Sequence, residues 1–101
     1  MRKNNEGINE KNSIELLKVA SSSNPSSIGG VIANTLLEKE ENKLEIQCIG
    51  AGALNQAIKG IAIARGFLAP AGKEIVCIPS FTTVQINGES RTGLKLVIKE
   101  I

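Results

Sequence analysis

Ile49-Gly-Ala-Gly-Ala-Leu-Asn-Gln-Ala-Ile-Lys-Gly-Ile-Ala-Ile-Ala-Arg-Gly-Phe-Leu-Ala-Pro70 reads as a strand end, a glycine turn and a helix. Leu54, Ala57, Ile58, Ile61 and Leu68 make one apolar face, and Ala62, Ile63 and Ala64 widen it. A helix that is apolar on more than one side is covered on more than one side. In so small a domain the second cover is expected to be another subunit, contacting Ile58, Ile61, Ile63, Phe67 and Leu68. Gly66 and Pro70 are expected to end the helix. No acidic residue occurs from Ile46 to Lys73. The first N–H groups of the helix, which lack intrahelical partners, are therefore open to an anion.

Working outward, Leu44 to Ile49 reads as the strand that feeds this helix. An earlier strand is expected at about Ile14 to Ala20, with Leu17 and Val19 on one face and Leu16 and Lys18 on the other. Between them, Asn24 suits a helix N-cap and Pro25 the first helical position. Ile28, Val31, Ile32, Thr35 and Leu36 then follow the spacing of a helix buried on one face. Gly29, Gly30 and Ala33 lower its propensity and predict close approach to another backbone. Downstream, Lys73 to Ser80 reads as a third strand, with Pro79 arguing for an edge position or a bulge. Thr82 to Ile86 is expected to continue it as an extended arm. Asn87-Gly88 is a hairpin signal, and Arg91 to Ile98 returns as the fourth strand. The order is β-α-β-α-β-β, an α/β two-layer sandwich.

Composition limits the chemistry. The chain has 101 residues, 42% of them hydrophobic and 2% aromatic, so one domain with an aliphatic core is expected. Residues 1–13 are polar and aperiodic and are expected to be a disordered tail, leaving 14–101 as the folded domain. There is no histidine and no aspartate, and all ten acids are glutamate. The commonest general base and metal ligand are thus missing. No enzyme activity, metal or cofactor is expected. Cys48 and Cys77 lie in apolar runs and are expected to be reduced thiols of a cytoplasmic protein. No run is long enough for a transmembrane helix.

Net charge is only +2, so nucleic-acid binding would rest on local arrangement. Strand–helix–strand units return parallel with a right-handed crossover. Both helices should therefore start at the same end of the sheet. If the third strand is parallel too, the hairpin tip projects past that end. Ser22, Ser23, Asn24, Gly52 and Asn55 would then form an anion-binding surface with Arg91, aided by Lys18 and Lys59.

The segments Leu17-Lys-Val-Ala20, Gly50–Lys59, Ile61–Phe67, Ile78-Pro-Ser-Phe81, Ile86-Asn-Gly-Glu89 and Arg91-Thr92 resemble the stage V sporulation protein S family. The resemblance spans about Ile14 to Ile101. It implies a role in the later stages of sporulation, around coat assembly and core dehydration. That family is similar in turn to the Alba chromatin and RNA-binding proteins. The implied fold is a mixed four-stranded sheet with two helices on one face. The implied partner is DNA or RNA, gripped by a dimer with its first strand–helix loop and its last hairpin. Many Alba proteins carry a lysine pair where this chain has Ser23 and Asn24, and two arginines where it has Gly50 and Gly52.

Two other functions fit the residues. A protein-interaction or assembly module in late sporulation would use the broadly apolar second helix and a near-neutral surface. A nucleotide binder would use Gly50-x-Gly52, which follows a strand and opens a helix. However, Asn55 replaces its third glycine, and Glu74 is displaced from the position of a ribose-binding acid.

Overall fold

The structure, a computed structural model, describes residues 15–38 and 42–101. The expected tail at 1–13 lies outside them. The elements are β1 (Glu15–Val19), α1 (Pro25–Glu38), β2 (Lys43–Cys48), α2 (Ala51–Leu68), a 3-10 turn (Ala69–Ala71), β3 (Ile75–Ile86) and β4 (Glu89–Glu100).

Local chemistry sets the entry to α1. The Ser23 N–H donates to the Ala20 carbonyl at 3.0 Å, and the Ala20 N–H donates to Ser23 Oγ at 2.9 Å. Asn24 then caps the helix, its Oδ1 accepting from the N–H groups of Ser26 at 2.8 Å and Ser27 at 3.3 Å. Pro25 takes the first helical position, where its missing N–H costs nothing. The helix buries Ile28, Gly29, Ile32, Ala33, Thr35 and Leu36.

The sheet order is β1-β2-β4-β3. β1 and β2 are parallel, while β4 is antiparallel to both β2 and β3. β3 therefore runs in the direction of β1 and β2, as the converging geometry requires. β3 is one continuous strand from Ile75 to Ile86, the segment from Thr82 extending it as expected. Pro79 does not interrupt it, because β3 is an edge strand and Pro79 keeps register opposite Leu96. The hairpin closes on Asn87 and Gly88 at φ 52 and 80, both left-handed. A two-residue turn of this primed type matches the twist of the strands.

Both helices cover one sheet face. Leu44, Ile46, Cys48, Leu96 and Ile98 on that face are buried against Ile32, Leu36, Ala57, Ile61, Ala64 and Leu68. The helices meet each other at glycines. A Cβ on Gly29 would stand 2.7 Å from Ile63 Cγ2, and one on Gly60 would stand 2.3 Å from Ile28 Cγ2. The second cover of α2 is thus supplied by α1. Ile61 and Leu68 belong to the chain's own core, at 9% and 0% exposure. They offer nothing to a partner, contrary to their expected place in a subunit interface. The helix also passes Gly66. The α-helix ends at Leu68, and Pro70, the other expected stop, lies in the 3-10 turn that follows; Gly72, whose φ of 73 is left-handed and whose N–H donates to the Ala69 carbonyl at 2.9 Å, closes that turn.

Burial pushes the thiols of Cys48 and Cys77 upward, and Cys77 also feels Cys48. Both stand free, and raised thiols are poor nucleophiles.

Thr35 is fully buried, and its Oγ1 has no hydrogen-bond partner among the described residues. An unsatisfied buried hydroxyl costs about 1–3 kcal/mol. Thr35→Val, which keeps the shape, is expected to raise stability by about 1 kcal/mol; a urea-midpoint measurement checks this, and a lower midpoint would contradict it.

Two ion pairs fasten the far end. Arg65 grips Glu74 through Nε at 2.9 Å and Nη2 at 2.7 Å, and Lys73 Nζ reaches Glu100 at 3.0 Å. The Arg65 hydrogen bonds, then the Ile75 N–H, hold the Glu74 carboxyl at about 2 rather than its ordinary 4.5. A depressed carboxyl pKa adds stability above the unfolded value, and this is lost as pH falls through the folded one. Glu74→Gln is therefore expected to be less stable than the parent at pH 7. The gap should close between about pH 4.5 and 2. Urea midpoints across that range test it; a gap independent of pH would be contrary.

Candidate nucleic-acid interface

The β1–α1 loop, the start of α2 and the base of the β3–β4 arm lie at the carboxyl end of the parallel strands. The β1–α1 loop and the start of α2 touch. A Cβ on Gly52 would stand 2.9 Å from Ser21 Cβ, and Gln56 Nε2 donates to the Ser23 carbonyl at 2.8 Å. The third segment is the β3–β4 arm. β2 ends at the pair Cys48↔Leu94, and the arm continues from Thr82↔Gly93 to Ile86↔Glu89. At a rise of roughly 3.4 Å per residue it projects about 17 Å beyond β2. Arg91 lies on it, exposed, opposite Val84.

The two helix starts differ. In α1 every early donor is used. Pro25 has no N–H, those of Ser26 and Ser27 go to Asn24 Oδ1, and that of Ile28 goes to the Asn24 carbonyl at 3.0 Å. Asn24 is thus a cap, and Ser23 Oγ is spent on the turn; Ser22 stays exposed beside them. In α2 the cap position is Gly50, at φ 91 with no side-chain cap hydrogen bond. The Leu54 N–H reaches the Gly50 carbonyl at 3.1 Å. Ala51 and Gly52 are exposed residues, and their N–H groups have no acceptor among the described residues. The positive helix end is therefore open at α2 and closed at α1. The sequence could hint at this: Gly50 has no side chain with which to cap.

Asn55 and Lys59 are exposed one and two turns along α2. Lys18 is not with them. It pairs laterally with Gln47, and Gln47 with Lys95, on the sheet face away from the helices. Arg91 shares the alternation of Lys95 and so leans toward that same face. Lys18 also borders a shallow cleft of about 210 Å³ between β1 and α1, with Leu17, Val19, Ser23, Asn24, Ser27, Ile28 and Val31.

The expected subunit interface is also divided. Ile58 and Phe67 are 48% and 53% exposed. Nine residues apart, at about 100° per residue, they stand on opposite flanks of α2. Ile63 packs against Gly29 of α1. Ile58 shares its flank with Arg65, which reaches toward β3 through Glu74. Phe81, 81% exposed, lies on the helix side of β3 opposite Leu94. Ile58 and Phe81 thus border the same uncovered side.

Glu74 sits at the far end of α2, an 18-residue helix about 27 Å long. It cannot reach a ligand at Gly50–Gly52, so the dinucleotide geometry is absent. Among the described residues no group of three His, Cys, Asp or Glu could hold a metal, and no helix is long and apolar enough to cross a membrane.

Comparison with known proteins agrees with this architecture. A family model described as stage V sporulation protein S matches residues 15–101. Among solved structures, Alba from Thermoplasma volcanium superposes with a TM-score of 0.58 at 16% identity, covering 85% of this chain and 98% of that one. At that identity the likeness is one of fold.

Proposed function

The chain belongs to the stage V sporulation protein S family, and from that premise we propose that it is a cytoplasmic sporulation regulator that binds nucleic acid as a dimer, without enzyme activity. The observation that carries this reading is the uncapped start of α2, where unpaired N–H groups stand at the carboxyl end of β2 with Asn55 and Lys59 exposed further along the helix. Phosphates can be held by backbone N–H groups and amide side chains as well as by cations. The fold shared with an Alba protein is in keeping with it. A dimer would cover Ile58 and Phe81.

Charge placed at the helix starts tests the reading. Ala51→Glu adds a carboxylate to the first turn of α2, which favours the helix by about 0.3–1 kcal/mol. It should nevertheless repel a phosphate. Ala51→Glu and Arg91→Glu are each expected to weaken binding to duplex DNA or RNA about tenfold, or ~1.4 kcal/mol, at low salt. Asn24→Asp keeps the cap and should have a smaller effect, because α1 has no free donor to offer. Fluorescence anisotropy across a salt series measures all three. If the parent binds neither duplex, or neither reversal changes affinity, the protein-assembly reading replaces this one. That reading draws on the exposed Phe81 and on the serine, asparagine and glycines in the two loops.

A further inference from the structure

The sheet face left bare by the helices carries a pattern of its own, apart from the start of α2. Across the strands, one row holds Lys18, Gln47, Lys95 and Ser80, the next Leu16, Glu45, Val97 and Ile78, and a third Lys43, Lys99 and Val76. Lys43 stands directly opposite Lys99. Like charges so placed repel each other. Among the described residues, Lys18, Lys43, Lys95 and Lys99 have no ion-pair partner, whereas Arg65 and Lys73 on the other side are both engaged. The one carboxylate within these rows is Glu45. Between the lysine rows, Leu16 and Ile78 are 48% and 51% exposed, and Val76 is exposed beside them.

We propose that this face docks an acidic amphipathic helix of a partner protein. The lysine rows lie about 7 Å on either side of the middle row, flanking a helix of about 10–12 Å diameter. Laid along the middle row, such a helix sets its apolar stripe on Leu16, Val97 and Ile78. Its carboxylates then meet lysines on both flanks, which relieves the Lys43–Lys99 repulsion. The helix would complete a third layer on the sheet. Nucleic acid fits less well. The only aromatics, Phe67 and Phe81, lie elsewhere, so bases have no platform to stack on, and exposed aliphatics offer phosphate nothing. The proposal is independent of the α2 site.

A synthetic helical peptide of about five turns, with leucines along one face and glutamates on both flanks, is the probe. The same peptide with lysine for glutamate is the control. Binding is followed by fluorescence anisotropy and by amide shifts of the full-length protein. The acidic peptide should bind and the basic one should not, with shifts centred on Leu16, Gln47, Lys95 and Val97. Lys95→Glu with Lys99→Glu should weaken binding at least about tenfold. Lys43→Glu separates docking from folding: it creates an opposite-charge pair with Lys99, so it should raise the melting temperature while weakening the peptide. Equal binding of the two peptides, no effect of the reversals, or shifts on the helix side would overturn the proposal. So would a nucleic-acid duplex that shifts these same amides.

Discussion

Gly60→Ala is expected to destabilise the protein by about 2 kcal/mol and lower its melting temperature by about 10 °C. The added Cβ would stand 2.3 Å from Ile28 Cγ2 and 2.6 Å from Ile28 Cβ, with the Pro25 carbonyl oxygen at 3.3 Å behind them. Ile28 is β-branched and 4% exposed, so it has no room to rotate away. The helices would have to part, and the core beneath them would loosen. The control is the same substitution further along the helix. A Cβ on Gly66 would meet nothing within 4 Å, and Gly66 sits on the exposed side of α2. There alanine brings only its better helix propensity, about 1 kcal/mol. One substitution in one helix should thus move the melting temperature down at Gly60 and up at Gly66. Circular dichroism melts decide it, and shifts of the same sign would mean that the helices do not cross at Gly60.

Leu68→Ala and Phe81→Ser should separate folding from assembly. Leu68 is fully buried, and its truncation is expected to cost about 3 kcal/mol. Phe81 is 81% exposed, so its loss removes little from the single chain. If Ile58 and Phe81 border the dimer, Phe81→Ser should leave the fold intact and give monomers in light scattering at micromolar concentration. Dimers that survive both Phe81→Ser and Ile58→Glu would place the contact elsewhere. A parent protein that is itself monomeric would remove the dimer from the proposed function.

Local chemistry is readable in the sequence wherever one residue type answers one backbone need. Asn24-Pro25 marks a helix start, and Asn87-Gly88 a tight hairpin. What cannot be read depends on neighbours distant in the chain. Gly66 and Gly72 are both glycine, and only the folded backbone distinguishes a helical φ from a left-handed one. The apolar breadth of α2 is visible in its residues, but Gly29 and Gly60 have to be brought together before α1, not a second subunit, emerges as the cover. The same applies to the candidate site. Asn24 suits both a cap and a phosphate ligand, and its hydrogen bonds assign it to the cap. Period-two alternation puts Lys95 and Lys99 on one side of β4. It does not reveal Lys18 and Lys43 beside them, because lateral order is set by the insertion of β4 between β2 and β3.

The length of the β3–β4 arm has a consequence for hydrogen exchange. From Thr82 to Thr92 each strand of the hairpin has only the other to bond with, and no helix lies beneath it to shield its amides. β2 and the inner half of β4 are held on both edges and covered on one face. Protection follows such differences in local support. Amides of the arm should exchange through openings that leave the rest of the sheet closed, while those of Ile46 and Leu96 wait for global unfolding. The segment reaching farthest from the core would then be the first to lose its protons to solvent, and a ligand that ordered it would appear as slowed exchange there before any change in the melting temperature.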